Sequence, residues 1–162
     1  MSIAFEMGND LPEKRWDMQI GVEMSKALEN KRVFIVDDNE IIRAALQFML
    51  HDEFEAHEVA SAAIAFEKAK TQPPDLLFLA ESLVKSEGVE LLQKIRTEMP
   101  QAKILVVVEA GANAFGKECV SAGAHGFLAK PLKIEFVRQK ADAMLGRSTG
   151  GVTIPLTVLN VR

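Results

Sequence analysis

A lone cysteine, Cys119, in 162 residues excludes an internal disulfide, and no His or Cys stands near it at metal-ligand spacing. The thiol reads as a small buried hydrophobe in a protein of a reducing compartment. Long apolar runs are missing as well: none approaches the roughly 18 residues of a membrane span, and the first residues carry acids where a signal peptide would be basic and then apolar. There is no basic cluster either. Lys and Arg are scattered and the formal net charge is −4, so no field exists to gather a polyanion. The expectation is a cytoplasmic protein that neither inserts in a membrane nor binds nucleic acid. Its composition, 48% hydrophobic and 26% charged, is that of an ordinary globular domain, and the length suffices for one core without staples.

From residue 32 to about 146, short apolar runs alternate with amphipathic stretches, the pattern of strands buried on both faces and separated by helices. Strands are expected at Arg32 to Val36, Phe54 to Val59, Asp75 to Ala80, Lys103 to Val108 and Gly126 to Ala129. Helices are expected near Glu40 to His51, Ala62 to Thr71, Val89 to Glu98, Asn113 to Ala122 and Lys133 to Leu145. Pro73-Pro74 and Pro100 stop two of these helices, because proline neither continues the hydrogen-bond ladder nor tolerates a helical residue before it. Gly146 suits the end of the last one. Five such units with right-handed crossovers make an α/β doubly wound parallel sheet, whose functional crevice lies at the carboxyl ends of the strands.

Three segments result: 1–30, 31–146 and 147–162. In the first, Asp10 and Glu13 form a capping box that opens a helix to about Asn30, and Trp16, Ile20, Met24, Ala27 and Leu28 share one face. That stripe either docks on the domain's own surface or serves a partner, including a second copy in a homodimer. In the last, Ser148-Thr149-Gly150-Gly151 is a break, and Val152 to Val161 suits an extended tail, restricted by Pro155 to an edge or an isolated segment.

The strand ends carry the chemistry. Val33-Phe34-Ile35-Val36 leads into Asp37-Asp38, Leu76-Leu77-Phe78-Leu79 leads into Ala80 with Gly88 eight positions on, and Gly126-Phe127-Leu128-Ala129 leads into Lys130-Pro131. Together these resemble the receiver domain of bacterial two-component response regulators. The resemblance implies a flavodoxin-like (βα)5 fold with strand order 2-1-3-4-5. It also implies paired acids that hold Mg²⁺, an aspartate that accepts phosphate, a lysine that neutralises it, and a following proline that is commonly cis. Two departures stand out. Ala80 occupies the acceptor position, and Val108, 22 residues before Lys130, occupies the position of the Ser or Thr that relays the switch. Glu109 follows where a small residue is usual.

The expected protein is therefore a degenerate pseudo-receiver and not an enzyme. It would be a phosphorylation-independent interaction module or adaptor whose partner is a histidine kinase, a phosphotransfer protein or a scaffold. Asp37, Asp38 and Lys130 form the remnant pocket, with no cofactor and Mg²⁺ binding weak or lost. Lys130 is expected to turn to Asp37 or Asp38, an ion pair whose rupture would cost about 3 to 5 kcal/mol if buried. Phe127 stands at the switch aromatic, where burial favours an inward pose. Ala114, Phe115, Phe127 and the fifth helix, with Trp16, Ile20 and Met24, are the expected partner surface. His51, His57 and His125 lack a common motif and are expected on surfaces or loop ends. Two alternatives stay open: a small molecule or nucleotide held in the crevice, and an atypical phosphoacceptor at Glu81 or Ser82. Against the first, Asp37-Asp38-Asn39-Glu40 offers negative charge and no glycine-rich loop after the first strand. Against the second, strand alternation turns Glu81 away from Ala80's direction and Ser82 begins the loop.

Overall fold

The computed structural model describes residues 31–147. The N-terminal helix with Trp16, Ile20 and Met24, and the C-terminal extended tail, lie outside the described residues. Within them the chain runs β1 (Arg32–Val36), α1 (Glu40–Leu50), β2 (Glu55–Val59), α2 (Ala62–Ala69), β3 (Leu76–Ala80), α3 (Glu81–Glu87), α4 (Glu90–Glu98), β4 (Lys103–Val108), α5 (Asn113–Ser121), β5 (Gly126–Ala129) and α6 (Ile134–Leu145). The five strands pair in parallel in the order β2-β1-β3-β4-β5. This is the flavodoxin-like doubly wound sheet. Among the described residues no helix is long and apolar enough to cross a membrane.

Strand alternation divides the core into two layers. Val33, Ile35, Leu76, Phe78, Leu105 and Val107 pack with Leu46 and Leu50 of α1 and Val137 and Ala141 of α6. Phe34, Val36, Leu77, Leu79, Ile104, Val106 and Val108 face the opposite layer, with α2, α3, α4 and α5. Both faces of the central strands are buried, which is why they read as unbroken apolar runs. Each such Leu or Ile contributes about 1.5 to 3 kcal/mol through burial. Asn39 and Ser61 cap α1 and α2 by accepting backbone N–H groups of the first turn.

The element that alternation and periodicity do not foretell is α3, which begins directly after β3 where a loop is expected. Gly88 separates it from α4 at φ 92°, and a Cβ there would meet the Glu90 carboxylate. His57 lies within β2, inside the strand expected at Phe54 to Val59, and is half-buried. Its Nε2 meets Glu55 Oε2 at 2.7 Å, and its ring stands edge-on to Phe34.

Cys119 is fully buried, and burial pushes its thiol up to about 11, helped by the nearby Glu118 and Glu81 carboxylates. At pH 8 roughly one thiol in a thousand is ionised. The folded protein should therefore leave a disulfide reagent such as Ellman's unreacted, releasing one equivalent only in denaturant. Rapid native labelling would show that α5 opens readily.

Candidate functional site

Parallel register brings the strand ends to one level. Val36 pairs with Leu79 and Ala80 with Val107, so Asp37, one residue past β1, stands level with the last residue of β3. Val108 pairs with Ala129, which sets Glu109 beside Lys130, and the Lys130 N–H donates to the Val108 carbonyl at 2.9 Å. The Lys130–Pro131 peptide is cis.

Asp37 is buried, and its Oδ1 accepts the Asn39 N–H at 2.8 Å while its carbonyl accepts Arg43 Nη1 at 2.9 Å. Burial holds its carboxyl above the ordinary range. The Asn39 N–H and the Lys130 charge oppose that rise, and the Asp38 carboxylate adds to it. Folded Asp37 therefore keeps its proton to higher pH than the unfolded chain does, and its ionisation subtracts stability as pH rises through that window. Asp38 is exposed, its Oδ1 accepting the Ser82 hydroxyl at 3.0 Å. The third corner of this arrangement is the Ala80 methyl.

A hard divalent cation needs six or more oxygen ligands, usually with several carboxylates among those from the protein. Here both aspartates already accept internal hydrogen bonds and Ala80, at the neighbouring strand end, has no side-chain oxygen to add. Among the described residues, no group of three His, Cys, Asp or Glu side chains is placed to hold a metal ion. The residues do not fit the Mg²⁺ site that the receiver pattern implies.

Lys130 does not turn to Asp37 or Asp38. Its ammonium meets Glu109 Oε2 at 2.8 Å. Register sets an acid, Glu109, directly opposite Lys130 on the adjoining strand end, and the ammonium takes that nearer carboxylate. Glu109's side chain is 59% exposed, so this pair contributes at most about 1 kcal/mol, well below the cost expected for a buried pair.

Glu81 also departs from expectation. It opens α3 instead of continuing the strand, and its side chain is buried. Oε1 accepts the Glu109 N–H at 2.8 Å across 28 residues of sequence, and Oε2 pairs with Lys85 at 2.9 Å. Burial alone would raise its pKa. The Glu109 N–H, the Lys85 ammonium and the more distant Lys130 outweigh that, leaving the carboxyl below its ordinary range. The legible signal is the acid–base spacing of four between Glu81 and Lys85 around Leu83-Val84, which marks a helical turn.

Val108 is fully buried in the layer beneath α5 and offers no hydroxyl. Phe127 is half-buried against the same layer, and its ring lies directly over Gly116 of α5. Ala114 is exposed; Phe115 is half-buried with the Lys85 ammonium 4.8 Å above its ring. On the free side of β5, Phe127, Leu128 and Ala129 join Phe136, Gln139 and Lys140 in an open groove. Phe136 is 55% exposed there.

Comparison with known proteins bears on the family and the fold. The family model described as the response regulator receiver domain matches residues 33–142. The chemotaxis protein CheY of Halobacterium salinarum is 33% identical over 64% of this chain and 87% of its own length. The transcriptional regulatory protein LnrK of Bacillus subtilis is 29% identical over 76% of this chain, which spans 56% of that longer protein. Among solved structures, the receiver domain of NtrX from Brucella abortus superposes with a TM-score of 0.65 at 26% identity, covering 70% of this chain and 98% of that one.

Proposed function

The chain belongs to the response regulator receiver domain family, and from that premise we propose that it acts in two-component signalling without being phosphorylated. It serves as a non-enzymatic interaction module or adaptor. The observation that carries this reading is the Ala80 methyl at the end of β3, where the receiver pattern calls for the acceptor. Its surroundings support the same reading: Lys130 is held by Glu109, Val108 has no hydroxyl, and Asp37 and Asp38 lack a third metal-ligating carboxylate.

Output then comes through contact. The surface that fits is the face of α5, β5 and α6, where Phe127 lines the Phe136 groove and α5 adds Ala114 and Phe115. An exposed aromatic side chain, Phe136, beside the half-buried Phe127 at a strand edge suits recognition of another protein. A histidine kinase, a phosphotransfer protein or a scaffold is the class of partner this reading takes, with the stripe of Trp16, Ile20 and Met24 as a second contact, including self-association.

The test is an amide NMR titration with Mg²⁺ and then beryllofluoride. The signals of Asp37, Asp38, Glu109 and Lys130 should stay in place, and those of α5 and β5 should not move. Saturable shifts that start at the strand ends and spread to Phe127 would instead mark a working phosphate switch.

A further inference from the structure

Ala80 and Val108, the last residues of β3 and β4, offer only methyl groups, yet the two strand ends are tied one residue further along each. Glu81 Oε1 accepts the Glu109 N–H at 2.8 Å. We infer that Glu81 is a positioning residue whose carboxylate locks the β4–α5 loop in one conformation. This inference rests on the reading of the chain as a receiver with a fixed shape.

Glu109 is held at three points. Its N–H donates to Glu81, its carbonyl accepts the Ala112 N–H at 3.0 Å, and its carboxylate takes the Lys130 ammonium at 2.8 Å. The first tie comes from β3 and α3, the second from the loop itself, the third from the end of β5. That loop leads straight into α5, which carries Gly116 beneath the Phe127 ring. Holding Glu109 therefore holds the entry of α5, and α5 holds the aromatic face proposed for partners. Glu81 suits the task because it is itself fixed: it is 7% exposed, and Lys85 occupies its second oxygen at 2.9 Å. A hydrogen bond to a charged, shielded acceptor is stronger than a neutral one.

Amide hydrogen exchange of the whole chain tests this, read at Glu109 and, as a control, at Phe78 in the core. Glu81→Ala should speed exchange at Glu109 by at least about tenfold while leaving Phe78 unchanged. Glu81→Gln keeps an oxygen acceptor without the charge and should exchange at Glu109 at a rate between those of the parent and the alanine variant. A merely structural role, acting through stability, would move Glu109 and Phe78 together. Should the alanine variant fail to fold, Glu81→Ser, whose hydroxyl is too short to reach, takes its place in the comparison. Equal Glu109 exchange in the parent and the alanine or serine variant would overturn the inference, as would a glutamine variant as fast as alanine. Phosphate transfer onto the chain would defeat the adaptor reading and leave this bond standing; unchanged exchange would defeat the bond and leave that reading standing.

Discussion

Gly116→Ala is expected to destabilise the domain by about 1 to 3 kcal/mol, although alanine normally favours a helix interior over glycine by roughly 0.5 to 1 kcal/mol. The sign reverses because a Cβ at 116 would overlap Cγ and Cδ2 of Phe127 and stand 2.7 Å from Cε2. Ring carbons next to the backbone cannot give way by a few tenths of an ångström as the tip of a lysine could. Either α5 lifts from the sheet or Phe127 swings outward, and an outward ring forfeits burial of order 1.5 to 3 kcal/mol. The two residues should therefore be strongly coupled. In a Phe127→Ala background, Gly116→Ala should become neutral or slightly stabilising, giving a coupling of at least about 1 kcal/mol by urea denaturation. Additive costs would mean that the ring has somewhere else to go and that the face it builds is not held in place by α5.

A second large effect is expected from Ala80→Asp. The methyl sits at 6% exposure beside buried Asp37, with Asp38 and Glu81 close in sequence to the same strand ends. A further carboxylate there repels the others, pushes Asp37 further up and leaves a charge without a partner. Without metal the cost should be about 2 to 4 kcal/mol. The same change completes a set of oxygen ligands, so Mg²⁺ should restore much of the loss, about 2.7 kcal/mol when present at a hundredfold excess over its Kd. Thermal unfolding with and without Mg²⁺ measures both. The switch should stay silent even then, because Val108 still has no hydroxyl and Glu81 already holds Glu109. Beryllofluoride shifts should stop near residue 80; shifts reaching α5 and Phe127 would show that the β4 end is not a second lesion.

How far these features could be read before any coordinates follows from the physics of each. The central strands were legible because burial on both faces demands continuous Val, Ile, Leu and Phe, and the prolines and Gly146 mark breaks that no tertiary contact can undo. Asp37, Ala80 and Lys130 are legible as residues of one end of the sheet because each stands at the end of an apolar run. What escaped were relations between side chains on different strands. Lys130 finds Glu109 because β4–β5 register sets that acid opposite it, a relation that no spacing along the chain displays. Glu81 escaped because the period of two was carried one residue past the point where the backbone turns helical. Gly116 escaped because close approach to a ring 11 residues away in sequence leaves no local signature. The apolar stripe of Trp16, Ile20 and Met24 lies outside the described residues, and its role stays a proposal.

Intact mass spectrometry of the full chain after incubation with acetyl phosphate and Mg²⁺ tests the central claim most directly. The account predicts a mass identical to the untreated protein. A single phosphoryl adduct mapping to the peptide that holds Ala80, Glu81 and Ser82 would contradict it.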